Sequence, residues 1–123
     1  MTSSLNLNNK LRYFAEVLSN ATARAWHYTK PERERFPYAI WTEYSEDGSM
    51  PANNRKKIQP ISITLDYFTQ TEFDQEIDRI QDALNDADQI QFELTDIQFE
   101  EETNVIHYSW NVSVYGESSR GGV

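Results

Sequence analysis

Several residue types on which chemistry and secretion rely are missing or scarce in this 123-residue sequence. It has no cysteine, which excludes a disulfide framework and a thiolate metal site. Three of its four glycines fall within the last eight residues, so it contains no glycine-rich phosphate-binding loop. It has no apolar run of 18 residues and no apolar stretch near its N-terminus, so we expect neither a membrane-spanning helix nor secretion. We expect the protein to stay in the cytosol or in a particle assembled there.

The sequence also lacks the patterns typical of catalysis. It has no nucleophile elbow, no Walker motif and no cysteine nucleophile. The two histidines, His27 and His107, lack the spacing to other ligands that metal sites require, and we expect His107 to be a surface residue on a strand. Nothing in the sequence therefore argues for a metal, a cofactor or enzymatic activity, and we expect none of them.

The charges are distributed unevenly along the chain. Residues 1–57 hold nine of the eleven lysines and arginines against six acids, a net charge of +3, whereas residues 58–123 have a net charge of −12. A domain with one basic and one acidic side can attract copies of itself head to tail. The alternative is an acidic protein whose charges serve only solubility. The overall net charge of −9 argues against a general nucleic-acid-binding surface.

Hydrophobic periodicity predicts two helices. The first is amphipathic and covers about residues 5–20. The second begins at Thr71, with Asp74 completing a capping box, and stops within residues 85–88. Its apolar stripe comprises Phe73, Ile77, Ile80 and Leu84.

Alternating apolar and polar residues predict the strands. Residues 38–44 form a strand with bulky side chains on both faces, and residues 61–67 form a one-sided strand. Residues 23–28 fit either a short strand or an extended link, and residues 45–57 form a long polar loop.

The C-terminal part of the sequence predicts an antiparallel hairpin. Its strands cover residues 90–99 and 106–114, and its turn lies at residues 100–104. The apolar parity of the first strand changes near Thr95 and Asp96, which predicts a bulge there.

These elements predict a single α+β domain over residues 1–115, followed by a flexible tail at residues 116–123. The domain is a mainly antiparallel β-sheet with two amphipathic helices packed on one face. Trp110 lies on the apolar parity of its strand and is expected in the core, whereas either a helix or a neighbouring subunit covers Trp41.

Three short motifs follow this order of segments. They are FPYAIW at residues 36–41, ANN at residues 52–54 and the strand-to-helix junction DYFTQTEFD at residues 66–74. Together they resemble the small tail-terminator and tail-completion (head–tail joining) proteins of long-tailed bacteriophages, over about residues 5–115. The motif at 52–54 lacks the acid of that family, and Gln70 stands in place of its usual lysine.

The resemblance implies a structural function. Such proteins form a ring, usually a hexamer, at the head-proximal end of the tail tube, where they stop tube polymerisation and present a surface to the head connector or head-completion protein. They are virion proteins assembled in the host cytoplasm and are not enzymes. Their partners are copies of themselves and the tail-tube protein, with no specific nucleic-acid binding, and an acidic lumen repels the DNA that passes through.

On this interpretation a basic surface meets an acidic face of the next copy or of the tube. The basic residues are Arg33, Arg35, Arg55, Lys56 and Lys57, and the acidic candidates are Asp74, Asp78 and Asp82. The alternative function is a small acidic inhibitor, either a DNA mimic or a toxin-capping protein, because aspartates four apart on a helix can imitate a row of phosphates. An enzyme or small-ligand domain is a third possibility, which no constellation of residues supports.

Overall fold

The computed structural model describes residues 7–44 and 60–116, and these residues form two helices and five strands. In chain order the elements are α1 (Leu7–Ser19), β1 (Ala25–His27), β2 (Tyr38–Tyr44), β3 (Ile61–Thr69), α2 (Gln75–Asp86), β4 (Ile90–Glu100) and β5 (Val105–Val114). The predicted loop at residues 45–57 and most of the predicted tail, residues 117–123, lie outside the described residues. Neither described helix is long and apolar enough to cross a membrane.

The five strands form one sheet in the order β1-β2-β3-β5-β4. Strands β2, β3, β5 and β4 pair antiparallel, and the short β1 pairs with β2 in parallel. This architecture confirms the predicted α+β class with a mainly antiparallel sheet. The sequence fitted either a short strand or an extended link at residues 23–28, and residues 25–27 form a strand.

Both helices pack on one face of the sheet. Trp41, Leu65 and Trp110 lie side by side across β2, β3 and β5, so their side chains share a face. The ring of Phe14 in α1 contacts Trp41 edge to face, with 5.0 Å between the ring centroids. Trp110 is fully buried, and its indole Nε1 donates a hydrogen bond of 2.9 Å to Gln81 of α2. Trp110 is therefore in the core as predicted, and a helix covers Trp41.

The β4–β5 hairpin contains the predicted bulge. Its register shifts between Leu94 and Asp96, so the intervening Thr95 has no partner position on β5. Because one extra residue reverses the side-chain parity, Ile97 and Phe99 point to the same face of the sheet as Leu94. The bulge therefore keeps the apolar residues of β4 on the face of the sheet that carries the helices.

The predicted start of the second helix is wrong. Strand β3 runs to Thr69, two residues beyond the alternation at residues 61–67. The second helix begins at Gln75, and its N-cap is Asp74, whose side chain accepts a hydrogen bond from the backbone of Glu76. The capping box starting at Thr71 therefore does not form, because Asp74 itself has the extended backbone and the acceptor that a cap requires.

Replacing Trp110 tests this account of the core. Trp110→Ala removes the largest fully buried side chain and leaves Gln81 without its donor, so we expect the free energy of unfolding to fall by about 3–5 kcal/mol. The matched control is Phe99→Ala, which truncates an exposed aromatic residue of the neighbouring strand and should change stability by less than about 1 kcal/mol. Urea denaturation followed by circular dichroism measures both, and equal stabilities of the two variants would contradict the assignment.

Candidate partner interface

A groove lies between the start of α2 and the tip of the β4–β5 hairpin. It has a volume of about 1000 Å³. Its apolar lining consists of Phe73, Ile77, Phe99, Ile106 and Tyr108. Its polar lining consists of Gln70, Glu72, Asp74, Asp78 and Asn104. Apolar side chains framed by carboxylates suit a ligand that carries both apolar and basic groups.

Asp74 fixes the geometry at one end of this groove. Its Oδ1 accepts a hydrogen bond of 2.9 Å from the backbone N–H of Glu76, and its Oδ2 accepts bonds from the hydroxyls of Tyr67 at 2.8 Å and Thr69 at 2.7 Å. Burial favours the protonated carboxyl, but these three bonds outweigh burial and hold the pKa of Asp74 below its ordinary value of 3.8. The carboxylate thus ties the start of α2 to the end of β3.

Phe73 precedes this cap and projects into solvent. The sequence placed it in the apolar stripe of the second helix, and that prediction is wrong: it lies before the helix, with φ of 60° and 87% of its surface exposed. A left-handed backbone costs a non-glycine residue about 1–2 kcal/mol. Strain of this kind, combined with an exposed aromatic ring, is typical of functional surfaces.

An apolar strip continues from the groove along β4. Leu94, Ile97 and Phe99 are 41%, 54% and 58% exposed, although they lie on the same face of the sheet as the helices. They pair across the ladder with Trp110, Tyr108 and Ile106 respectively. Cover by α2 therefore ends before these positions, and the outer half of β4 presents its apolar side to solvent.

The surroundings of the groove are strongly negative. Residues 60–116 contain thirteen acids and one base, Arg79, whose guanidinium lies 3.9 Å from Glu76. The pKa of Tyr108 is raised, first by burial and then by the carboxylates of Asp74 and Glu72. Acids also follow the outer strand and its turn at Glu93, Asp96, Glu100, Glu101 and Glu102. A basic partner would therefore be attracted to this edge of the sheet.

The opposite edge of the sheet carries basic residues. The loop between β1 and β2 contains Arg33 and Arg35, both exposed. Arg24 holds this loop through an ion pair of 2.8 Å with Glu34 and hydrogen bonds to the carbonyls of Pro37 and Arg35. β1 and β4 are the two edge strands, so this loop, which we call the basic edge, starts from the edge of the sheet opposite to the acidic strand.

The predicted interface residues thus fall into three groups. Asp78 and Asp82 are exposed on one side of α2, and Asp78 lines the groove. Asp74 also lines the groove, but both its carboxylate oxygens are bonded within the protein. Arg33 and Arg35 are exposed in the loop between β1 and β2. Arg55, Lys56 and Lys57 lie outside the described residues.

A cluster on the open face of the sheet resembles a hydrolytic triad only in composition. Asp66 Oδ1 accepts hydrogen bonds from His107 Nε2 at 2.8 Å and from Ser109 Oγ at 2.6 Å. In a working triad the histidine contacts the serine through one ring nitrogen and the acid through the other. Here Nε2 faces both residues and the serine donates directly to the acid, so the arrangement links β3 to β5 instead of activating a nucleophile. Shared parity in the two strands was the signal in the sequence that could have predicted this cluster.

The other histidine is held at the edge of the sheet near β1. The ring of His27 is stacked between Tyr28 and Trp41, at centroid distances of 3.8 and 3.7 Å. Its Nε2 lies 2.7 Å from a carboxylate oxygen of Glu43, and the hydroxyl of Tyr28 donates to the same carboxylate. Burial raises the pKa of Glu43, but these two hydrogen bonds outweigh it and the net pKa is lowered. Among the described residues, no three histidine or acidic side chains converge to hold a metal ion.

Comparison with known proteins adds little to this picture. No family model and no curated protein matches the chain. A crystal structure of a protein from Akkermansia muciniphila is similar at a TM-score of 0.35 and 16% identity, with 67% of this chain covered. This chain spans 43% of the length of that one. Similarity at this level carries no functional argument.

Removing the Asp74 carboxylate tests its structural role. Asp74→Ala deletes the cap of α2 and leaves the hydroxyls of Tyr67 and Thr69 without their acceptor, so the free energy of unfolding should fall by about 2–4 kcal/mol. Asp78→Ala is the control, because its exposed carboxylate should contribute less than about 1 kcal/mol. Urea denaturation at pH 7 measures both, and similar losses would contradict the role assigned to Asp74.

The pH dependence gives a second test of the same carboxylate. Because its folded pKa is lowered, the stability that Asp74 contributes is complete above its ordinary pKa of 3.8 and is lost as the pH falls through the folded pKa. The stability difference between the wild type and Asp74→Ala should therefore shrink below about pH 4. A difference that stays constant from neutral to strongly acidic pH would argue that the carboxylate acts without its charge.

Proposed function

We propose that this protein is a structural assembly subunit that associates head to tail through the two edges of its sheet. The observation that carries the proposal is the separation of charge. The loop with Arg33 and Arg35 starts from the β1 edge, whereas α2 and β4 carry the acids at the other edge. Two different surfaces that attract each other give a heterologous contact, and such a contact builds a ring if the rotation between copies closes.

The resemblance of residues 5–115 to phage tail terminators suggests where in a phage particle this ring would lie. In that role six copies close at the head-proximal end of the tail tube, end its polymerisation and receive the head connector or head-completion protein. The protein is then a virion component, assembled in the host cytoplasm, with no catalytic activity. The excess of acids over bases, a net charge of −9 per copy, leaves such a ring negative overall and repels DNA that passes through it.

One observation favours the alternative function, an acidic inhibitor. Asp78, Asp82 and Asp86 are exposed along α2 at intervals of four residues, as a mimic of DNA phosphates would require. Asp74, which would begin that row, instead bonds Tyr67 and Thr69. The exposed apolar strip of β4 also has no counterpart in a phosphate backbone. The assembly subunit is therefore the function that the surface supports best.

Charge exchange between the two edges tests the assembly function. Arg33→Glu/Arg35→Glu should abolish association, and so should Asp78→Lys/Asp82→Lys, because each variant presents like charges at the contact. Mixing the two variants should restore association, since every contact in an alternating ring again joins opposite charges. Native mass spectrometry and light scattering measure the oligomeric state of the protein alone. Negative-stain electron microscopy shows whether the protein binds the tail-tube protein of the same phage. All exchanges should leave thermal unfolding almost unchanged, because exposed charges contribute little to stability.

The controls are single charge changes on the exposed face of α1, Arg12→Glu and Glu16→Lys, which leave both edges intact. The basic residues predicted from sequence are tested in the same way, with Arg55, Lys56 and Lys57 all replaced by Glu. A wild-type protein that stays monomeric and does not bind tail tubes would contradict the proposal. If that monomer instead binds a nuclease or a basic toxin tightly, the inhibitor function is correct.

A further inference from the structure

Exposed apolar side chains gather at the β4 edge of the sheet. Four large apolar side chains are exposed there: Phe73, Leu94, Ile97 and Phe99. Phe73 and Phe99 line one groove, and Leu94, Ile97 and Phe99 are successive residues on one side of the same strand. Scattered apolar residues are common on protein surfaces, but a connected group of this size marks an interaction site. We call these four residues, three from β4 and the adjacent Phe73, the β4 strip.

Strand β4 is also an edge strand in the sheet that the described residues form. Among the described residues, β5 is its one pairing partner, along a strand of eleven residues. Edge strands are usually protected by lysines, prolines or short length, and β4 has neither lysine nor proline. Its protection comes from acids at Glu93, Asp96 and Glu100. These acids would oppose one another if two β4 edges met, so a symmetric β4–β4 contact is disfavoured.

The charge pattern around the β4 strip indicates which partner binds there. A partner that covers the β4 strip needs basic groups for the carboxylates of Glu72 and Asp78, together with an exposed apolar side chain for the groove. The opposite edge of this same chain offers both. Arg33 and Arg35 are exposed there, and Tyr28, which is 53% exposed, begins the loop that carries them.

We propose that the β4 strip and its groove bind the basic edge of a second copy of this chain, with the ring of Tyr28 against Phe73 and Phe99 and with Arg33 and Arg35 against the acidic rim. The inference rests on the proposed head-to-tail assembly and names the surface that forms its contact. The left-handed backbone at Phe73 fits this role, because it directs a large aromatic ring away from the core at the entrance to the groove. Burial of the ring by the second copy would offset its exposure.

Phe73→Gly separates binding from folding. Glycine adopts a φ of 60° without strain, so this variant should be at least as stable as the wild type in thermal unfolding. It nevertheless loses the aromatic ring, so the dissociation constant for self-association should rise about tenfold or more. Sedimentation velocity over a range of protein concentrations measures the constant. A stable Phe73→Gly variant that associates as tightly as the wild type would overturn the proposal.

The double variant Phe73→Gly/Phe99→Ser should weaken association further, and Tyr28→Ala should weaken it from the other side of the contact. Tyr28→Phe keeps the ring stacked on His27 and removes only the hydroxyl that bonds Glu43, so it should weaken association less than Tyr28→Ala does. Leu7→Ser is the control for the variants of the β4 strip, because it also removes an exposed apolar side chain, but from the start of α1 and outside the groove. It should not change association. Combining Tyr28→Ala with Phe73→Gly should add little to either change, since both remove the same contact.

The outcomes distinguish this inference from the function on which it rests. If the wild type neither self-associates nor forms rings on tail tubes, the assembly function fails and the inference fails with it. If the wild type forms rings and the Phe73 and Tyr28 variants form them equally well, the assembly function stands and only the β4 strip is wrongly assigned. If the Phe73 variants form rings but no longer bind the tube, the strip binds the tube protein and a second copy is the wrong occupant.

Discussion

The difference in rise per residue between a helix and a strand determines which part of this sheet is covered. Helix α2 has 12 residues and spans about 18 Å, whereas β4 has 11 residues and spans about 37 Å. A helix of this length covers about half of such a strand. Ile90 and Phe92 pack against the core at the covered end, and Ile97 and Phe99 are exposed at the other end. The groove and the β4 strip follow from this mismatch in length.

The same mismatch explains why the surface near α2 combines apolar and acidic residues. The end of α2 that lies near the uncovered half of β4 is its N-terminus, where the helix dipole favours carboxylates. Asp74 uses this preference to cap the helix and to bond Tyr67 and Thr69, while Asp78 in the first turn faces the groove. The acids keep an exposed apolar strip soluble and discourage its pairing with itself. They would also attract a basic partner to the strip, and the partner that we propose is the basic edge of a second copy.

Sequence predicted the parts of the fold that depend on local pattern. The change of parity near Thr95 predicted the bulge, and the position of Trp110 on an apolar parity predicted its burial. Local pattern failed where long-range contacts decide. Asp74 is the N-cap because β3 brings the hydroxyls of Tyr67 and Thr69 to its carboxylate, and a capping-box rule contains no information on that contact. The sequence did not predict the exposure of Phe73 for a related reason. The spacing of Phe73 from Ile77 and Ile80 fits the apolar stripe of a helix, but the helix begins at Gln75, two residues after Phe73. The parallel pairing of β1 with β2 also depends on how residues 28–37 return across the sheet.

Charge and apolar area would have different roles in the proposed contact. Exposed ion pairs gain little free energy in water and weaken as salt increases, but they orient two molecules before contact and oppose the wrong pairing. Burial of aromatic side chains contributes most of the affinity at interfaces and depends little on salt. A contact formed only by the ion pairs of Arg33 and Arg35 would therefore be weak and would dissociate at high ionic strength. The proposed addition of Phe73, Phe99 and Tyr28 makes a lasting contact physically reasonable, because the charged edges would select the partner and the rings would hold it.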